Sequence, residues 1–327
     1  MTISEIQSYI EEVEKSSTLH EDKNFEKRME VVDFIGFQVI DQIEEILQPT
    51  VHPDQEEILQ PTAHPDQLTL LKNRAEKLKS ELEEIDINLF KKLQEAIRTG
   101  SHKGEGEPFR NLVAEYVNIH SGRNEHPEET GYDNLDIFVN GVTLFRTMPE
   151  QTKELEPEMV YYQKTPARIV FELVGQSHFT KEDVFFDLGS GFGQVAILVN
   201  LLAGISAKGV EFEPAFCDYS RYCAEKLNLS DVTFINIDAR KADYSEGTIF
   251  FMYTPFKGEI LREVLAILRQ ESLLRKIKLI TYGPCTAEVA LQNWLEPAVP
   301  SKSHYGREDA AEDNGVYKLA FFNSFII

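Results

Sequence analysis

Cysteine, long apolar runs and positive charge are all in short supply. Only Cys217, Cys223 and Cys285 occur in 327 residues. None sits in a CxxC pair or at a Cys/His spacing suited to zinc, so no metal site is expected. They read as reduced, partly buried thiols of an intracellular protein. No apolar run reaches the roughly 18 residues that a membrane span requires. The opening stretch, MTISEIQSYIEEVEK at 1–15, is acidic and amphipathic, unlike a signal peptide. The expectation is a cytoplasmic protein that does not associate with membrane. Lys and Arg number 33 against 55 Asp and Glu, a formal net charge of -22. Such a chain repels phosphates at long range, so general nucleic-acid binding is not expected, whereas a basic protein partner is compatible.

What is present divides along the chain. Phe25, Met29, Val32, Gly36, Val39, Ile43 and Ile46 recur at spacings of three and four, the apolar stripe of a helix. Leu71, Ala75, Leu78, Leu82, Ile85 and Leu89 form a second stripe. Together they predict an antiparallel helical hairpin, or a coiled coil through which two copies self-associate. Between them EEILQPTVHPDQ at 44–55 is followed at once by EEILQPTAHPDQ at 56–67, and only Val51 and Ala63 differ. Pro49, Pro53, Pro61 and Pro65 favour an extended, exposed linker. His52 and His64 have no second ligand near them in sequence, so they predict no metal. SHKGEGEP at 101–108 is a polar break, and beyond about residue 165 strand and helix alternate, the mark of a mostly parallel α/β sheet.

The residues that suggest chemistry lie in that second half. VFFD at 184–187 is a buried-strand run ending in an acid, followed by LGSGFG at 188–193 and a helix beginning near Gln194. A glycine turn between strand and helix lets backbone approach a ligand closely and aims helix-terminal N–H groups at it. The GxGxxG dinucleotide fingerprint needs glycine where Gln194 stands, which disfavours a nicotinamide enzyme. KGVE at 208–211 is a short strand whose Glu211, 22 residues after Gly189, is placed to accept from both hydroxyls of a ribose. Glu213 is a secondary candidate for that role. A third strand at 232–237 ends in Asp238 and Ala239. A fourth at 248–252 runs into Tyr253, Thr254, Pro255 and Phe256, at the end of an open sheet that borders its ligand crevice. Residues 278–282 read as a fifth strand. Residues 294–304 and 316–325, around a polar tip at 306–315, suit an antiparallel sixth and seventh.

The D-x-G-x-G-x-G pattern at Asp187, Gly189, Gly191 and Gly193 resembles the first motif of class I S-adenosylmethionine-dependent methyltransferases. DLGSGFGQV at 187–195 looks like that motif in the disruptor-of-telomeric-silencing family, the non-SET histone lysine methyltransferases, and differs from it essentially at Phe192. The resemblance extends to GVE at 209–211, to Asp238 and to residues 250–256. Upstream, EPE at 156–158 and YQKT at 162–165 are similar to that family's loop, in which a Tyr-x-x-Thr segment closes over the cofactor. Lys164 stands where the family loop has Glu, and Tyr253 and Thr254 stand where its acceptor-facing segment has asparagines.

The resemblance implies a doubly wound, seven-stranded class I sheet and S-adenosylmethionine as cofactor. Asp187, Gly189, Gly191, Gly193, Gln194, Glu211, Asp238, Ala239, Tyr162 and Thr165 would hold the cofactor, with Asp238 meeting the exocyclic amine of adenine. Tyr253, Thr254 and Phe256 would face the methyl acceptor. The implied organisation is a helical region over 1–100 with its duplicated segment at 44–67, a lead-in and cofactor-covering loop over 101–165, and a catalytic domain over 166–327. Methyl transfer from a sulfonium is an in-line displacement that needs alignment and dryness, so no nucleophile signature is required. Three readings of function stand: N-methylation of a protein lysine, methylation of a small molecule or another acceptor, and a non-catalytic cofactor-binding scaffold whose helices recruit partners.

Overall fold

A computed structural model describes residues 1–47, 65–100, 107–119, 132–145, 147–298 and 316–325. Most of the duplicated linker, the polar break and the polar tip therefore lie outside the described residues. The ends of the duplication are helical: residues 44–47 close one helix, and Pro65 opens another, where its fixed φ and missing N–H suit the first turn. The chain forms two units, residues 1–93 with 114–118, and 94–113 with 119–327.

In the first unit α1 (Ile3–Glu14) starts at a capping box in which Thr2 and Glu5 satisfy each other's backbone N–H. Then come α2 (Phe25–Phe34), a π-helical segment Ile35–Ile40 and α3 (Asp41–Leu47). The long α4 (Pro65–Arg98) follows. The second expected stripe is buried at Leu71, Ala75, Leu78, Leu82 and Leu89. The first shifts. Phe25, Val32, Val39 and Ile43 are buried, but Ile35 replaces Gly36 and Arg28 replaces Met29. Arg28 goes inward because Asp86 of α4 receives it: Nε and Nη2 donate to Oδ1 at 2.8 and 2.5 Å, and Nη1 donates to the carbonyls of Leu19 and Glu21. The two stripes share one core, to which α1 adds Ile6, Ile10 and Val13.

The second unit takes up the end of α4. It includes α5 (Pro108–Ala114), whose last residue falls in the first unit, then α6 (Asn134–Thr143) and α7 (Ala167–Gln176). Strands and helices then alternate: β1 (Val184–Leu188), α8 (Gln194–Ala203), β2 (Ser206–Glu211), α9 (Pro214–Lys226), β3 (Val232–Asn236), β4 (Ile249–Met252), α10 (Gly258–Ser272), β5 (Lys278–Tyr282), α11 (Cys285–Ala290), β6 (Leu295–Pro297) and β7 (Leu319–Ser324). The sheet order is β3-β2-β1-β4-β5-β7-β6. The first five strands run parallel, and β7 enters antiparallel between β5 and β6. This is the seven-stranded class I methyltransferase sheet. Parallel strands covered on both faces need near-continuous apolar runs, as Phe185, Phe186, Phe250 and Phe251 provide. Strand order reverses between β1 and β4, so the crevice lies beyond their carboxyl ends. Among the described residues no helix is long and apolar enough to cross a membrane.

Candidate active site

One cavity opens at that switch point. It is lined by Asp187, Gly189 and Gln194 after β1, Glu211 after β2, Asp238 and Ala239 after β3, Tyr253, Thr254 and Phe256 after β4, and Tyr162 and Thr165 from the segment before α7. Every expected site residue thus lines it except Gly191 and Gly193. Those two belong to the turn itself, where their φ angles are 52° and 79°.

The glycine turn is closely packed. Gly189 has φ 77°, and a Cβ there would lie 2.3 Å from Pro255 Cβ; at Gly191, φ 52°, it would lie 2.1 Å from the Tyr162 ring. Both positions therefore require glycine for conformation and for space. The amides of Gly189 and Ser190 donate to the Val210 carbonyl, fixing the turn against β2. Gly193 caps α8, whose Gln194 side chain donates to Asn140 Oδ1 at 2.8 Å.

The acids divide by their partners. Glu211 accepts from the amides of Gly191 and Glu213 at 2.7 and 2.8 Å. Burial nevertheless raises its carboxyl above the usual range. Asp187 is pushed up to about 8, first by burial and then by the charge of Glu211. Its Oδ2 has no hydrogen-bond partner, and neither do Ser190 Oγ and Gln194 Oε1. Buried polar atoms are rarely left so. Asp238 is held below the usual carboxylate range by Arg240, whose guanidinium and amide both donate to it.

Glu213 does something other than bind a ribose. It caps α9 through the Ala215 amide. It also accepts from the amides of Thr152 and Lys153 at 2.9 and 2.7 Å and from the Thr152 hydroxyl. It thereby anchors the strap formed by residues 151–165. The Val160 amide donates to the Pro255 carbonyl, and Met159 bridges Phe256. The Glu158 carboxylate accepts from the Ile260 amide, capping α10 where Lys257 provides no side-chain cap. Farther along, the Tyr162 ring packs on Phe192 at 4.6 Å and Phe216 at 5.9 Å. Tyr132 donates to the Lys164 carbonyl at 2.5 Å. The Lys164 ammonium, its pKa lowered by burial, lies over the Tyr132 ring.

After β4 the side chains are aromatic and uncharged. Thr254 sits at φ 41°, a strained region for a non-glycine residue. Its hydroxyl donates to the Tyr282 carbonyl and accepts from the Cys285 amide, so it ties β4 to the turn after β5. Phe256 lines the cavity but is 5% exposed within the main core. Tyr253 packs edge-on against Tyr282 at 4.9 Å and Tyr317 at 6.3 Å, and those two lie 5.9 Å apart. Sequence reasoning missed Tyr282 and Tyr317. Tyr282 ends the strand beside β4, a position that would have flagged it. Tyr317 arrives only through the antiparallel pairing of β7.

The donor set fits S-adenosylmethionine. An α-ammonium would satisfy the partnerless Asp187 oxygen, vicinal hydroxyls would meet Glu211, and an exocyclic amine would meet Asp238. Among the described residues no cluster suits a metal ion.

Residues 153–268, from the strap into α10, match the family described as Histone methylation protein DOT1. No curated protein sequence matches the chain significantly. Solved structures that overlay part of it include an RNA methyltransferase from Salinibacter ruber in complex with S-adenosyl-L-homocysteine, at 21% identity, 50% of this chain, 92% of that chain and a TM-score of 0.36. A precorrin-6y C5,15-methyltransferase from Geobacter metallireducens overlays at 16% identity, covering 52% of this chain and 94% of that one with a TM-score of 0.36. A SAM-dependent methyltransferase from Thiobacillus denitrificans, also with S-adenosyl-L-homocysteine, gives 18%, 40%, 48% and 0.30 respectively.

Proposed function

We propose that this class I S-adenosylmethionine-dependent methyltransferase, which resembles the DOT1 core, N-methylates a lysine side chain of a basic protein. The observation that carries the reading is the tyrosine trio Tyr253, Tyr282 and Tyr317 beside the cofactor cradle. Aromatic faces attract a cation and stabilise one as it forms. The carboxylates lining the cavity, Asp187, Glu211, Glu213 and Asp238, all belong to the β1–β3 side. The family match supports a protein as acceptor, and the chain's net charge of -22 favours a basic one.

When bound, S-adenosylmethionine supplies an electrophilic methyl group on a sulfonium. The protein aligns the acceptor with it and keeps water out. Asp187, Glu211 and Asp238 fix the cofactor. Tyr162 and Thr165 of the strap cover it. A lysine amine, with an ordinary pKa of about 10.4, has to lose its proton before attack. Burial pushes the Tyr282 phenol up to about 12 and raises Tyr253 as well, so both stay protonated and neither acts as a base at neutral pH. The amine gives its proton to solvent before attack, and the aromatic wall then stabilises the positive charge that forms on nitrogen as the methyl group arrives.

The test is transfer of labelled methyl from S-adenosylmethionine into histones and into fractionated lysate. Label on protein lysine supports the reading, and Tyr253→Ala is expected to lower kcat about tenfold or more with little change in cofactor affinity. Label confined to small molecules or nucleic acid would overturn the lysine assignment. Cofactor binding with no S-adenosylhomocysteine released in any fraction would mean a scaffold.

A further inference from the structure

Arg240 lies outside the cavity, yet it connects two parts of its wall. Its Nε donates to both Asp238 oxygens at 3.0 and 3.1 Å, and its Nη2 reaches Asp238 Oδ2 at 2.6 Å. The same Nη2 donates to Glu156 Oε1 at 2.6 Å, and Glu263 lies 4.0 Å from Nε. Asp238 borders the cavity after β3, and Glu156 sits on the strap immediately after the pocket-lining Leu155. Three further strap contacts follow within four residues: the Met159 amide donates to the Glu156 carbonyl, the Lys257 amide to the Glu158 carbonyl, and the Val160 amide to the Pro255 carbonyl. One guanidinium therefore serves an acid at the base-binding end and an acid on the cover.

A carboxylate free to rotate is a poor discriminator between bases. Held by a guanidinium and a backbone amide, it presents only acceptor lone pairs in a fixed direction. A purine bearing a 6-amino group donates to it; one bearing a 6-oxo group sets lone pair against lone pair. Arginine suits the task because its planar fork can grip one carboxylate through two nitrogens and still have N–H left for another.

We propose that Arg240 is a positioning residue that fixes the Asp238 carboxylate for the adenine amine and joins it, through Glu156, to the strap, so that base recognition and seating of the strap are one event. The inference rests on the reading of the cavity as an adenosyl site. It adds what sets base specificity and how the cover senses it.

The experiment measures binding and amide exchange rather than turnover. Calorimetry compares S-adenosylhomocysteine with its 6-oxo analogue, S-inosylhomocysteine, for wild type, Arg240→Gln and Arg240→Lys. Wild type should prefer the amino form by about tenfold or more. Arg240→Gln should bring that ratio towards one, and Arg240→Lys should restore part of it. Glu156→Gln, at a partly exposed side chain, should keep the ratio. It should also speed amide exchange across residues 156–160 in the loaded protein about tenfold, and this arm decides the matter if Arg240→Gln fails to fold. An unchanged base preference in Arg240→Gln, or unchanged strap exchange in Glu156→Gln, would overturn the coupling while leaving the adenosyl site intact. Wild type that binds neither nucleoside would remove the adenosyl reading and this inference together.

Discussion

Two aspartates buried in different units differ in the charge of their nearest neighbour. Asp86, in the helical unit, is 5% exposed and shares a short ion pair with Arg28, itself fully buried. Asp187, in the sheet unit, is 3% exposed and has another acid as its charged neighbour, and in both aspartates Oδ2 is without a partner. Removing a carboxylate from water is expensive in both places. The helical unit offsets part of that within the chain through Arg28, although burial still leaves the Asp86 carboxyl raised; the sheet unit supplies no cation to Asp187 and leaves the offset to a ligand. A buried charge with its counter-charge supplied reads as structure, and one without reads as a site.

The sharpest way to break this contrast is to remove the cation. Arg28→Ala leaves Asp86 buried and unpaired, and chemical denaturation should show a loss of about 3–5 kcal/mol. The apolar double replacement Arg28→Met with Asp86→Leu should come back to near wild type. Next in size, Asp187→Asn should weaken S-adenosylhomocysteine binding on the order of 100-fold by calorimetry. The same substitution should stabilise the ligand-free protein at pH 8, which Asp86→Asn should not.

The pH dependence carries the sign of each environment. The folded Asp187 carboxyl, at about 8, lies above its ordinary 3.8. The folded state therefore binds the extra proton between those values. Its contribution to stability is complete below the unfolded pKa and is lost as pH rises towards 8. Thermal unfolding of the ligand-free chain should show that slope, and Asp187→Asn should flatten it. Cofactor binding near pH 7 should release part of a proton, visible as different heats in buffers of different ionisation enthalpy. Glu213 should give the smallest effect and the opposite sign. Burial raises its carboxyl, but the Thr152 hydroxyl and the amides of Ala215, Lys153 and Thr152 outweigh that and leave it lowered. Its contribution is present above the unfolded pKa and fades as pH falls through the folded one. Glu213→Gln should cost about 1 kcal/mol near neutral pH and change cofactor affinity less than Asp187→Asn does.

Legibility followed distance along the chain. The path from Asp187 through Gly189 to Gln194 is strand, turn and helix in one short stretch, and the residue types alone place it. Glu211 and Asp238 were readable because each ends a strand of the same βα alternation. The Arg28–Asp86 pair joins residues 58 apart, and the Glu213 clamp reaches Thr152 across 61. No local pattern marks either. The π segment escaped because Gly36 continues a regular helical spacing on paper, and only packing decides that Ile35 turns inward. Tyr317 needed the register that sets Tyr282 against Leu319, information held by two strands jointly.

The sheet leaves two borders, at β3 and β6. An unpaired strand border is a template on which foreign chains grow. β6 is 3 residues long and ends in Pro297, which has no N–H to offer an incoming strand. Placing β7 inside the sheet, with this stub outside it, keeps the long apolar strand Leu319–Ser324 from serving as a seed for aggregation.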